Sequence, residues 1–413
     1  MTSRHERSAL EDLCRQAAER AGASRRTAQA LAYATLEAES RGRHAVGIAH
    51  FFDYLDGLPR GRIDGGAQPQ VRQATQSVLV ADCRGGIAQR AFEDSYDALV
   101  QAARAHGLAM LSVANAYACG ELGYYARRLT QSGLVGVAGA NSPALMSIGG
   151  ASEPVLGTNP LAYGIPRPSG PSLLVDQASS QTAYVNIRSA AAQQRSIPDG
   201  WAIDETGRGT TDPSAALRGA LLPFGGYKGA NIALLVEMLA VLSGANWSSD
   251  APPFDSGSQT PGIGMFVLAI NPETLDPNYG ARVDAFVDRL ASRWSVDVSN
   301  IADPSPATHC LLESDVFERL RRAATPAAPD PPRLTPRSNG KVPARRRCHG
   351  TSPLTLRLSW EFIAVNADVS KLSSSVPDTA HPKRRGSYGI REQGRWRREG
   401  VVWRARGKTH VGD

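Results

Sequence analysis

The chain has 413 residues, 42% of them hydrophobic and 21% charged, an ordinary globular composition in which no apolar run approaches the ~18–20 residues of a membrane span. Of the 46 Lys and Arg, 18 lie in residues 331–413 with only 6 of the 39 Asp and Glu, a net +12, so the first 330 residues carry 28 basic and 33 acidic groups, a net −5. The overall charge of +7 is thus a property of the tail, and nucleic acid is not the partner expected for the body.

Met1 to Gly22 is charged throughout and lacks the apolar core of a signal peptide, so a cytoplasmic protein is expected. Leu10, Leu13, Cys14 and Ala17 fall at helical spacing and predict an amphipathic surface helix. Arg25 to Ser40 and Ala45 to Leu58 predict two more helices, and Gly61 to Gly66 ends the second. Gln76 to Ala81 reads as a short strand, Ala88 to Ala105 as a helix, and Leu108 to Val113 as a strand. From Leu134 the texture changes. Leu134–Ala138, Leu161–Ile165 and Leu173–Val175 are short apolar runs between Gly, Pro, Asn and Ser turns, which is sheet-like. A helix follows over Gly229 to Ser243 with Gly244 as its C-cap, then a strand over Gly264 to Ile270 and a helix over Ala281 to Arg293. After about Pro304 the order decays into Pro/Ala/Arg-rich and basic sequence, read as a weakly ordered appendage. Arg interleaved with Trp396 and Trp403 would also suit stacking on RNA, and a shifted reading frame would give the same texture. The expected organisation is a helix-rich substrate and dimer domain (1–110), a cofactor domain (111–272), a helix returning to the first domain (273–304) and an atypical tail (305–413). Cys14, Cys83, Cys119, Cys310 and Cys348 are scattered without a C-x-x-C pair, so no disulfide framework and no metal site are expected, and most read as small buried hydrophobes.

No G-x-G-x-x-G follows a strand and opens a helix, so a Rossmann site is excluded. Gly225-Gly226-Tyr227-Lys228-Gly229 also fails as a P-loop, because the first glycine and the Ser/Thr after lysine are missing. Its physics still favours an anion: two glycines permit close approach, a helix begins, and Lys228 adds a cation. An ordinary turn before a buried helix is the plain alternative. Gly157-Thr158-Asn159-Pro160 is a second tight turn, able to bond a bound amide or hydroxyl, or simply an Asx-type turn.

With Gly149-Gly150, Asp176-Gln177-Ala178-Ser179-Ser180, Ile197-Pro198-Asp199-Gly200-Trp201, Thr210-Thr211-Asp212-Pro213 and Leu222-Pro223-Phe224, these segments resemble the malate/L-lactate dehydrogenase family over about residues 8–298. The texture is most similar to the Δ1-piperideine-2-carboxylate and Δ1-pyrroline-2-carboxylate reductase branch. The resemblance implies a three-layer, non-Rossmann α/β fold with a largely antiparallel cofactor-domain sheet, and a homodimer. It implies NADPH or NADH held near Thr158, Asn159, Gly225, Gly226 and Lys228, and Asp176 at the catalytic centre. The implied reaction is hydride transfer between nicotinamide and a small 2-oxo or 2-hydroxy acid, or a cyclic 2-imino acid. The alternative is a catalytically silent paralogue that binds dinucleotide as a sensor or partner subunit.

One departure matters. The family pattern Ser-His-Gly-x-x-Arg-x-x-x-Tyr reads here Ala45-Val46-Gly47-Ile48-Ala49-His50-Phe51-Phe52-Asp53-Tyr54, and the family's His-Phe-Gly reads Ala118-Cys119-Gly120. Val46 stands where the family has its acid/base histidine, and His50 where it has arginine. On a continuous helix His50 lies one turn along from Val46 on the same face, so it is a candidate proton donor or carboxylate ligand. His44 serves instead if the backbone there is not helical. Asp176 would orient a histidine or bind an imine nitrogen.

Overall fold

In the computed structural model the chain divides into two units, residues 1–333 and 334–413. The structure describes residues 2–325 and two short strands, Trp396–Arg398 and Val401–Trp403, which pair antiparallel within the second unit. The rest of the expected tail, Cys348 included, lies outside the described residues.

The first unit opens with β1 (Thr2–Glu6), α1 (Arg7–Arg20), α2 (Arg25–Glu39), a 3₁₀ turn at His44–Val46 and α3 (Ile48–Gly57). Next come β2 (Gln70–Thr75), β3 (Val78–Asp82), α4 (Ala88–His106), β4 (Leu108–Ala116), α5 (Gly123–Gln131), β5 (Val135–Ala140), β6 (Leu161–Ile165) and β7 (Leu173–Gln177). A smaller segment follows, with α6 (Tyr184–Ala192), β8 (Ala202–Ile203), β9 (Gly209–Thr210), α7 (Pro213–Arg218) and β10 (Ala220–Leu221). The unit ends with α8 (Tyr227–Ala240), β11 (Ile263–Ile270), α9 (Tyr279–Trp294), β12 (His309–Glu313) and α10 (Ser314–Ala324).

Seven strands form the main sheet in the order β2-β3-β4-β11-β5-β6-β7. Only the β3–β4 pair is parallel, so the sheet is largely antiparallel, as the resemblance implies. Helices α4 and α5 cover it. Phe92, Leu99 and Ala103 of α4 repeat on one helical face and meet Leu111, Val113 and Val267 of the sheet, while Tyr124, Tyr125 and Leu129 of α5 extend the same core. A second core joins α1, α2 and α3 through Leu10, Cys14, Leu31, Leu36 and Phe51. A third lies beneath α6, α7 and α8, built from Met146, Leu156, Ile187, Ile197, Leu221 and Ala233.

Three boundaries differ from the sequence reading. The division expected at 110/111 falls inside β4, whose neighbours β3 and β11 come from either side of that division. The expected return to the first domain is not made by α9. That helix leans on the β6–β7 turn, with Arg167 pairing Asp284 at 2.8 Å, and the following segment makes the return, its Ala307 N–H donating to the Ser40 carbonyl at 2.8 Å. The tail does not begin at 305. β12 pairs with β1, and α10 buries Leu320 and Ala324 in the α1–α3 core. Phe317 stacks on His5 at 3.8 Å between ring centroids, and the Arg319 guanidinium lies 3.8 Å from the Phe52 ring centroid. β12 alternates exposed and buried residues, and α10 offers a narrow apolar stripe among Arg and Glu. Read locally these resemble a polar tail; their burial depends on a partner some 300 positions away in the chain.

Candidate active site

The chain around β7 gathers the segments singled out in the sequence. Ser179 is the junction. Its N–H donates to the Thr158 carbonyl at 2.8 Å, its hydroxyl donates to the Asn159 carbonyl at 2.8 Å, and its carbonyl accepts from the Phe224 N–H at 3.0 Å. The Gly157–Pro160 turn, the strand end bearing Asp176 and the glycine loop are therefore laced into one corner. Gly229 is obligatory there, because a Cβ would run into the Phe224 and Ser179 carbonyls.

The glycine loop fits an anionic group of a dinucleotide. Gly225 and Gly226 have φ of +55° and +65°, and a Cβ on Gly226 would meet open space. Gly226 caps α8 without a side-chain bond; the Lys228 and Gly229 N–H groups turn back to the Gly225 and Phe224 carbonyls, so the Tyr227 N–H, the positive end of the helix dipole and Lys228 are what the loop offers an anion. Lys228 is exposed and, among the described residues, its ammonium has no partner.

Thr158 is partly exposed beside this loop. Asn159, expected as a cofactor ligand, lies deeper. It is fully buried with φ +34°, and its side-chain N–H groups are spent on the Ala233 carbonyl (3.0 Å) and Glu237 Oε2 (2.7 Å). Glu237 also accepts from Asn141 and from the Ser248 backbone and hydroxyl. The Asn159 side-chain N–H groups thus anchor the turn to α8 through a buried polar network, while its Oδ1 is buried with no partner among the described residues.

Asp176 lies one residue before the end of β7 and is half-buried. Its Oδ2 accepts the Gly123 N–H at 2.7 Å, at the N-terminus of α5. A Cβ at Gly123 would lie 3.1 Å from Glu121 Oε1 and 3.3 Å from Asp176 Oδ2, so the two carboxylates close tightly on this glycine. Burial pushes the Asp176 carboxyl up to about 6, against the pull of the Gly123 N–H; Glu121 adds to the rise, and Arg43 and Arg127 oppose it. Glu121 and Arg127 form a buried bidentate pair (2.8 and 3.1 Å). Arg127 continues through Asp303 (2.9 Å) to Arg41, which pairs Glu37 at 2.9 Å. This chain of buried charges ties α2, α5 and the return segment together beside Asp176.

The predicted helix over 45–58 is broken, which removes the reason for placing His50 on the Val46 face. Gly47 lies against the Glu39 carboxylate with φ −90° and ψ −129°, so a 3₁₀ turn ends at Val46 and α3 begins at Ile48. His50 points its Nδ1 at Asp53 Oδ2 (2.9 Å) and stands edge-on to Tyr54, 5.0 Å between centroids. His44 points its Nδ1 at Glu39 Oε1 (2.6 Å) and keeps 63% of its side chain exposed. Arg43, next to it, is exposed without a side-chain partner among the described residues and is close enough to act on Asp176. Glu39, Arg43, Glu121 and Arg127 escaped the sequence reading. Cys119 is buried, and burial pushes its thiol up to about 12, away from the thiolate form. Among the described residues no His, Cys, Asp or Glu cluster could hold a metal ion, and no helix is long and apolar enough to cross a membrane.

The glycine-capped helix, the buried strand-end carboxylate and the antiparallel sheet are those of a non-Rossmann dehydrogenase. A profile of the malate/L-lactate dehydrogenase family matches residues 6–305. The Δ1-pyrroline-2-carboxylate reductase 1 of Burkholderia ambifaria is 35% identical over 270 residues, 65% of this chain and 78% of that protein. The (2R)-3-sulfolactate dehydrogenase (NADP(+)) of Chromohalobacter salexigens is 33% identical over 288 residues, 69% and 86% of the two chains. The crystal structure of Δ1-piperideine-2-carboxylate reductase from Pseudomonas syringae superposes with a TM-score of 0.71 at 30% identity, over 78% of this chain and 99% of that one. The chain belongs to the malate/L-lactate dehydrogenase family and is an oxidoreductase.

Proposed function

We propose that the protein reduces a small cyclic 2-imino acid of the pyrroline- or piperideine-2-carboxylate type with NADPH or NADH, and a 2-oxo acid by the same chemistry. The observation that supports this reading is Ser179, three residues after Asp176, which joins the end of β7 to the Thr158–Asn159 turn and to Phe224 at the start of the glycine loop. On this reading an anionic acceptor would lie near the loop that takes the dinucleotide. When bound, the reduced nicotinamide supplies the hydride. Gly225, Gly226, the α8 N-terminus and Lys228 would hold its phosphates, with Thr158 at the rim. Asp176 would accept the N–H of a protonated imine through Oδ1, the oxygen not engaged by Gly123. Arg43 would hold the substrate carboxylate. An imine can enter already protonated, whereas a 2-oxo acid needs a proton from the protein. His44 is the preferred donor, since its ring is held by a buried carboxylate and its tip is exposed; His50 is the alternative.

A cytoplasmic homodimer is part of the same reading. Leu235, Met238 and Leu242 form an exposed apolar stripe along and just beyond α8, which a second copy would cover. The test is oxidation of NADPH and NADH against a panel of cyclic imines and 2-oxo acids. Turnover with an imine supports the proposal. Tight dinucleotide binding with no turnover on any substrate would favour the silent-paralogue reading.

A further inference from the structure

The end of α2 and the turn after it form a closed unit around one carboxylate. Glu39 is the last residue of α2, and its side chain is 3% exposed. Both of its oxygens are taken by the following turn: Oε1 by His44 Nδ1 at 2.6 Å, and Oε2 by the Ile48 N–H, the first amide of α3, at 2.9 Å. Gly47 leaves no side chain between them, and any Cβ there would strike the carboxylate. The flanking cation is engaged elsewhere, since Arg41 pairs Glu37 and Asp303. Among the described residues His44 is therefore the only ionic partner of Glu39. Cys14 and Cys310 border it on the apolar side, their thiols pushed up by burial and, secondarily, by the charge of Glu39.

A buried carboxylate needs a partner that keeps it hydrogen-bonded. A histidine that donates from Nδ1 to such a group is fixed in one tautomer, with Nε2 turned outward. From this geometry we infer that Glu39 is a positioning residue: it locks His44 so that Nε2 is the atom that delivers a proton to the substrate. In the transfer the Nε2–H bond breaks and an O–H bond forms on the reduced carbonyl oxygen, whose electron pair comes from the C=O bond as the carbon accepts hydride. The Nδ1–H remains on Glu39 throughout, so the ring returns to the same tautomer and is reprotonated at Nε2 from solvent, which its exposure permits.

The inference rests on His44 being the donor of the proposed reductase. The experiment compares wild type, His44→Gln, Glu39→Gln and the double variant of the full chain, with a 2-oxo acid as substrate, and reads the ring tautomer of His44 by ¹⁵N NMR. Glutamine can still accept the Ile48 N–H. Glu39→Gln is expected to lower kcat by at least about 10- to 100-fold, and up to about 10⁴-fold if the ring is left wholly in the wrong tautomer, with KM little changed. It should cost almost nothing further in the His44→Gln background, and should shift neutral His44 from the Nδ1–H to the Nε2–H form. If Glu39→Gln does not fold, Glu39→Asp, which keeps the charge but shortens the reach, should show the same pattern in smaller degree. Equal losses in both backgrounds, or an unchanged tautomer, would overturn the inference by making Glu39 merely structural. Full kcat in His44→Gln would remove the donor and this inference together while leaving the reductase standing. A wild type that turns over nothing would strike the proposed function, and the tautomer alone would then decide for or against Glu39.

Discussion

Replacing Asp176 by Asn should make the fold more stable at pH 8 while depressing turnover. The carboxyl is raised from its ordinary 3.8 to about 6 because burial disfavours the anion more than the Gly123 N–H favours it. The sign follows from proton uptake. Between those two values the folded state holds a proton that the unfolded state has released, so stability falls as pH rises through this window and stays reduced above it. At about 1.4 kcal/mol per pKa unit, a rise of roughly two units corresponds to an upper bound of ~3 kcal/mol. Asparagine can still accept the Gly123 N–H and carries no charge to desolvate. The variant should therefore gain up to ~3 kcal/mol at pH 8, or ~5 °C in melting temperature for a chain of this size, and almost nothing at pH 3.5. Thermal melts of both proteins at the two pH values read this directly. A variant less stable than wild type at pH 8, or one stabilised equally at both, would refute the reasoning.

Lys228→Ala should weaken dinucleotide binding ~10- to 100-fold, the value of a charge-assisted contact of about 1.5–3 kcal/mol, with the melting temperature of the free protein unchanged; calorimetric titration measures it, and an unaltered dissociation constant would take Lys228 out of the site. A chain ending at Pro304 should lose several kcal/mol, because it removes β12 from β1 and the buried Leu312, Leu320 and Ala324 from the α1 core; each buried leucine alone contributes about 1.5–3 kcal/mol. A chain ending at Thr325 keeps these contacts, and chemical denaturation should separate the two.

Much of the fold was legible because it is written locally. The helical spacing of Leu10, Cys14 and Ala17 and the apolar runs of β5, β6 and β7 carry their own period. What escaped depends on distant partners. β12 is a strand only because β1 is there to pair with it, and α3 starts late because the Glu39 carboxylate occupies the place of a Gly47 side chain. The site divides the same way. The motifs carried Asp176, Gly225, Gly226 and Lys228 into one corner. Asn159 looked like a ligand from its turn chemistry, yet its amide serves Glu237, 78 positions away. The arrangement of Glu39 and Arg43 about His44 and Asp176 is a fact of three dimensions that no spacing rule contains.

On the proposed function, this corner moves a hydride onto a C=N carbon beside Asp176. The most direct measurement uses NADPH deuterated on the transferring face at C4 with Δ1-pyrroline-2-carboxylate or Δ1-piperideine-2-carboxylate, followed by mass spectrometry of the product. A single deuterium is expected at carbon 2 of the cyclic amino acid, abolished by heat denaturation and strongly reduced by Asp176→Asn. Reduced dinucleotide that binds but keeps its deuterium, with every imine and 2-oxo acid recovered unchanged, would contradict it.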